Sequence, residues 1–134
     1  MASSLRLTNL VVNGEADSLA RLLDNGWINI YSGTQPATAD TALAGNTLLA
    51  QPRINVTSAP AASAGVLTFN AVTSDTSAAA TGTATFFRAF KADHTTAVLD
   101  GGVATSGSDM NINSTAISIG AQVDVTSWTH TVPK

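Results

Sequence analysis

The sequence predicts a mainly β fold, an antiparallel sandwich of the jelly-roll or immunoglobulin-like kind with about six to eight strands and one N-terminal α-helix. Three observations predict it. After Gly26, short alternating runs rich in Val, Ile, Thr and aromatic residues recur at spacings near a dozen residues. Clusters of Gly, Pro, Asn, Asp and Ser separate those runs and supply turns. Before Gly26, one stretch has helical period instead. A length of 134 residues suits one domain. An N-terminal arm and helix would cover about 1–26, and the sandwich about 27–134.

The helix is read from "LVVNGEADSLARLLDNG". Val12, Ala16, Leu19, Ala20 and Leu23 fall at i, i+4, i+7, i+8 and i+11, one stripe of a helix. Asn25-Gly26 supplies a left-handed stop. Gly14 weakens the first turns, so the start is near Thr8 if that glycine is tolerated and near Asn13 if not. Leu5, Leu7, Leu10 and Val12 also fit the alternation of a strand.

The strands follow in order. "WINIYS" at 27–32 alternates, and "GTQP" at 33–36 turns. The small residues at 38–44 suit a single helical turn. "TLLAQPRINV" at 47–56 reads as a strand that Pro52 demotes to an edge or marks with a bulge. "TSAPAASAG" is a loop, and "VLTFNAVT" at 66–73 alternates again. Residues 73–82 are almost all small, with Asp75 their one charge. Such a run suits a crossing over the top of a sandwich, or a flat surface against which a neighbour packs.

"TATFFRAFKA" at 83–92 then brings three phenylalanines. Phe87 shares a face with Thr85 and Ala89, and Phe86 shares the other with Arg88 and Phe90. Phenylalanine on both faces predicts a strand buried on both sides. "ADHTT" turns the chain into a hairpin arm at 97–105, with a bulge expected at Gly101-Gly102. "MNINSTAIS" at 110–118 and "AQVDVTSWTHTV" at 121–132 complete the set. No internal repeat is present.

Composition bounds the chemistry. Charged residues are 11% of the chain, against the usual ~25%. Ala, Ser, Thr and Gly stand in their place. Surface charge keeps free proteins soluble, so this scarcity predicts a chain whose surface is largely covered in an assembly. The six basic residues, Arg6, Arg21, Arg53, Arg88, Lys91 and Lys134, form no cluster, which argues against a nucleic-acid partner. There is no cysteine, so no disulfide framework and no thiolate chemistry is expected. "MASSLRLTNLVV" has no signal-peptide pattern. No run approaches the ~18 apolar residues of a transmembrane helix. The chain is expected to stay soluble or assembled in a cytoplasm, with no membrane partner.

No catalytic, cofactor-binding or metal-binding residue is assigned. His94 sits in a turn and reads as exposed; His130 reads as a strand residue, and the two lack metal-ligand spacing. The acids show no facing pair for glycoside hydrolysis, and Asp93, Asp100 and Asp109 lie at or beside turns, where Asp bonds locally. No G-x-S-x-G, no phosphate loop and no calcium loop occurs. Asn55-Val56-Thr57 and Asn113-Ser114-Thr115 are read as accidental sequons. Trp27, Tyr31 and Trp128 would be the platforms if the chain were a carbohydrate-binding module.

The blocks "LLDNGWINIYSGTQPATADTALAGNTLLAQ", "AVTSDTSAAATGTATFFRAFKAD" and "VLDGGVATSGSDMNINSTAISIGAQVDVTSWTHTVP" occur in an order that resembles a group of small virion proteins of tailed bacteriophages. The resemblance runs from about Leu19 to Pro133; "ADHTT" departs from the Asp-Gly turn frequent in that group. It implies a non-enzymatic structural protein without cofactors, of the head decoration (cement) type, on the capsid exterior after assembly in the host cytoplasm. The implied partners are the major capsid protein and neighbouring copies of the chain. A tail or neck component, such as a fibre-associated or tail-tip module, is the alternative within the same class.

Overall fold

The computed structural model describes residues 4–133; the first three residues of the expected arm, and Lys134, lie outside the described residues. Helix α1 spans Asn9–Leu23. Thr8 caps it, its hydroxyl accepting from the Val11 N–H at 3.4 Å. The later of the two expected starts, and the strand reading of 5–12, therefore do not hold. Gly14 has open space around it, so its cost is one of propensity, about 1 kcal/mol, and not of packing. The buried stripe is Val12, Ala16, Ala20 and Leu23. Asn25 takes the left-handed conformation, φ 56°, and ends the helix as the Asn-Gly pair predicts. Gly26 is needed for a different reason: a Cβ there would sit 2.2 Å from the Phe90 carbonyl oxygen.

A polar edge of α1 captures the loop at 58–65. The side chains of Asn13, Asp17 and Asp24 accept from the N–H groups of Gly65, Ala62 and Ser58 at 2.7, 2.8 and 2.8 Å. The Ser58 hydroxyl donates to the Ala20 carbonyl at 2.7 Å. The acceptors recur about one helical turn apart, so a loop with little apolar surface of its own is held along one side of the helix.

The strands are β1 Trp27–Tyr31, β2 Leu48–Ala50, β3 Val66–Thr68, β4 Gly82–Thr83, β5 Phe86–Phe90, β6 Ala97–Ala104, β7 Met110–Ile112, β8 Ala116–Ile117 and β9 Val125–Thr131. Seven form one sheet in the order β2-β1-β5-β6-β7-β9-β3, and β4 pairs with β8 in a two-stranded ribbon. The chain is thus mainly β with one helix, as expected. The antiparallel sandwich is not what the pairing gives: β6 and β7 run parallel, so the large sheet is mixed, and its end strands β2 and β3 do not close it.

Two long strands expected from the alternation are each broken. The run at 83–92 changes partner at Ala84, from β8 to β1. The run at 110–118 splits where the Asn113 N–H turns to the Asp124 carbonyl. The hairpin bulge also differs from expectation. Ala89 faces Leu99 while Phe90 faces Ala97, so Val98 is the extra residue and not Gly101-Gly102. The segment at 38–44 makes a single turn closed by the Thr41 N–H on the Thr38 carbonyl. β2 is an edge strand, in keeping with Pro52 just beyond it.

Phe86 through Phe90 are all buried, as phenylalanine on both faces predicts. Ile28, Ile30, Phe87 and Ala89 face the main core with Leu23 of the helix, Ala78 of the small-residue run, Ala84, Ile117 of β8 and Val123. Each large side chain so buried contributes roughly 1.5–3 kcal/mol. The run at 73–82 does cross the fold. Thr73 and Arg53 exchange both backbone hydrogen bonds, Asp75 and Val123 do the same, and the Ala79 N–H donates to the Leu49 carbonyl. Small side chains permit this close backbone approach.

The sheet curls strongly. Phe87 on β5 and Trp128 on β9 are three strand positions apart, about 14 Å in a flat sheet. Their ring centroids are nevertheless 5.5 Å apart, edge to face.

Candidate functional site

The second face of β1 and β5 carries Trp27, Asn29, Tyr31, Phe86, Arg88 and Phe90, and it is covered by the chain itself. The loop at 33–46 lies over it, because one Arg88 nitrogen donates to the carbonyls of Thr41 at 2.8 Å and Thr38 at 3.4 Å. Arg88 also pairs with Asp100 through bonds of 2.7 and 2.9 Å. Asp100 holds the guanidinium charge above its ordinary pKa.

Asn29 is the hub of a second network. Its amide donates to the Tyr31 hydroxyl at 3.0 Å, and its carbonyl accepts from Gln51 at 3.2 Å. His94 Nε2 lies 2.8 Å from the same carbonyl, which fixes the tautomer that donates from Nε2. His94 has φ 58° and stacks on Trp27 at 4.5 Å. The Arg53 guanidinium also packs on Trp27, 3.9 Å from the ring centroid. Burial first, and the Arg53 charge second, push His94 below the usual imidazole value, against the opposing pull of Asp93. His94 is therefore half-buried and structural, not the exposed turn residue expected from "KADHTT".

The aromatic residues considered as sugar platforms do not form one. Tyr31 and Trp128 are buried, and they lie on opposite faces of the sheet. Tyr31 stacks on Phe86 and Trp128 on Phe69, while Trp27 is engaged by His94 and Arg53. The carbohydrate reading loses its geometric basis. Among the described residues no three His, Cys, Asp or Glu side chains gather to hold a metal ion, and no helix is long and apolar enough to cross a membrane.

One opening is a gap in the sheet that the sequence did not reveal. β7 pairs with β6 only at Val103 and Ala104, and with β9 from Val125 to Trp128. Beyond that short wedge, the first part of β6 and the last part of β9 diverge around a cleft of about 640 Å³. Phe87 and Trp128 form its floor; Leu99, Asp100 and Gly101 form one wall, and Thr129, His130 and Thr131 the other. Asp109 closes one end. Its carboxylate accepts from the Gly102 N–H at 2.9 Å and its carbonyl from the Thr129 N–H at 3.4 Å. Gly101 is required at this spot, since a Cβ would meet the Phe87 ring at 2.6 Å.

His130 thus lines a cleft as well as a strand, and Asp100 and Asp109 stand at its rim. These groups are not arranged as nucleophile, base and orienting partner. What the cleft offers is strand backbone on two sides, since Phe87 and Trp128 beneath it are buried. Comparison with family models, with curated proteins and with solved structures returns no match for this chain.

Proposed function

We propose that the chain is a non-enzymatic virion structural protein that binds the outer capsid surface of a tailed bacteriophage and stabilises the head. The observation that carries this reading is where the few ionic groups go. Arg88 and Asp100 are paired out of water. Arg21 pairs with Asp24, and Arg53 lies on Trp27. Asp17 and Asp24 hold the loop at 58–65. Asp75 accepts from the Gln51 N–H, Asp93 from Thr95 and Thr96, Asp109 from Gly102 and Asp124 from Gln122. Seven of the nine acids so named serve the chain's own backbone and side chains.

The exterior left over is largely Ser, Thr, Ala and Gly. It also carries Leu10 at 83%, Val56 at 72% and Ile119 at 69% exposure. A surface so poor in usable charge gains little solubility from it and loses little by being covered. A cement protein acts through buried area and mass action at subunit junctions, with no chemical step. The ordered block resemblance to phage virion proteins supports the same reading.

Quantitative mass spectrometry of purified particles of the encoding phage tests it. The expected result is hundreds of copies, in fixed ratio to the shell subunit. A few to dozens of copies would assign a tail or neck position instead, and absence from particles would overturn the proposal.

A further inference from the structure

We infer that residues 59–64 form a flap on α1 that lifts while the rest of the fold stays closed, baring an apolar seat made by Ala16, Ala20 and Leu67. The inference does not depend on where the protein works.

The two ends of the segment are clamped. Ser58 is buried. Its N–H donates to Asp24 at 2.8 Å and its hydroxyl to the Ala20 carbonyl at 2.7 Å, while its carbonyl accepts from the Asn70 N–H at 2.8 Å. At the far end the Gly65 N–H donates to Asn13 at 2.7 Å. Gly65 is also wedged in place, since a Cβ there would lie 2.9 Å from the Val12 side chain and 3.0 Å from the Val132 carbonyl oxygen.

Between these clamps the hold is slight. Among the described residues, 59–62 form two hydrogen bonds to the rest of the chain, from the Ala62 N–H to Asp17 at 2.8 Å and from the Arg21 guanidinium to the Ala59 carbonyl at 3.2 Å. Pro60 has no N–H to add. The latch is thus one carboxylate and one guanidinium on successive turns of α1. Arg21 keeps Asp24 as a partner at 2.7 Å, so its release from the flap leaves no stranded charge.

The apolar hold is equally small. Ala59 and Ala62 are the flap's members of a cluster whose other buried members are Ala16, Ala20 and Leu67. This cluster is separate from the main core, with Leu19 and Phe69 packed against both. It is a satellite beneath a loop. Lifting the flap withdraws two methyl groups and breaks no strand ladder, and the freed backbone regains conformational entropy. The turn at 63–66 serves as the hinge. Ser63 and Val66 exchange both backbone hydrogen bonds, and Ala64 is held left-handed at φ 52°, a conformation that a residue with a Cβ adopts at a cost. Segments with few buried apolar contacts open below the global unfolding transition.

The chain has no cysteine, so a single introduced thiol reports the opening. Ala59→Cys places it under the flap and Ala89→Cys places it in β5, both alanines being fully buried. In urea below the unfolding transition, a thiol reagent should modify Ala59→Cys about a hundredfold faster than Ala89→Cys, at a rate that urea does not change. Asp17→Ala combined with Ala59→Cys should speed labelling about tenfold, because the Ala62 N–H loses its acceptor. Asp17→Asn keeps a carbonyl acceptor and should speed it less. Alanine suits a helix better than aspartate, so α1 itself is retained. Hydrogen exchange of the wild-type chain gives a reading that needs no substitution. The Ala62 amide should exchange through an opening insensitive to urea, and the amides of β1 and β5 through one that urea promotes. Labelling of Ala59→Cys no faster than Ala89→Cys, labelling indifferent to Asp17→Ala, or Ala62 exchange that tracks the β5 amides overturns the inference.

Discussion

Arg88 grips Asp100 through two parallel hydrogen bonds, with the two side chains only 7% and 5% exposed. The pair links β5 to β6 at the register where the two residues face each other, and the same guanidinium anchors the loop at 33–46. Removing one partner strands the other charge out of water. Arg88→Met should cost about 3–5 kcal/mol, whereas Arg88→Met combined with Asp100→Leu should recover most of that loss. Urea unfolding of the three chains checks both statements.

His94 gives stability a pH dependence. Its imidazole is held below the ordinary value near 6.5, so the unfolded chain binds the proton more readily than the folded one. The contribution is complete above about pH 6.5 and is lost as pH falls from there through the folded value, with a slope of at most about 1.4 kcal/mol per unit. His94→Asn tolerates the left-handed backbone and removes the titrating ring. Denaturation midpoints measured between pH 7.5 and 5 should fall for the wild type, and this substitution should flatten the decline.

Asn13 supplies the acceptor for the Gly65 N–H at 2.7 Å. Asn13→Ala leaves that donor without its partner and should cost about 1–3 kcal/mol. Hydrogen exchange should quicken at Gly65 first, with the amides of β1 and β5 changed only by the global loss.

Gly101→Ala places a methyl against the Phe87 ring at 2.6 and 2.8 Å. The ring cannot retreat freely, because Trp128 packs against it. The substitution should destabilise by about 1–3 kcal/mol, seen as a lower thermal midpoint together with altered Trp128 fluorescence.

Local signals in the sequence proved legible, and pairings between distant residues did not. Thr8 and Asn25 bound the helix because capping and left-handed stops depend on neighbouring residues alone. Phenylalanine on both faces of 86–90 announced double burial for a similar reason. The parallel β6–β7 pair was hidden, since parallel strands ordinarily need a crossover of a dozen or more residues and here residues 105–109 suffice. The gap follows from that short link, so it was equally hidden. The polar edge Asn13, Asp17 and Asp24 carries no local signal of the loop at 58–65 that lies on it. His94 was misread because its partners, Trp27 and Asn29, sit more than sixty residues away.

An electron-microscopy map of the phage particles to which the proposal assigns this chain tests the central claim most directly. Density of this curled seven-stranded sheet repeated across the outer shell, with its charge-poor, Ser- and Thr-rich surface against capsid subunits, is the result the account predicts. Particles whose shells carry no such density, beside a purified chain that remains alone in solution, would contradict it.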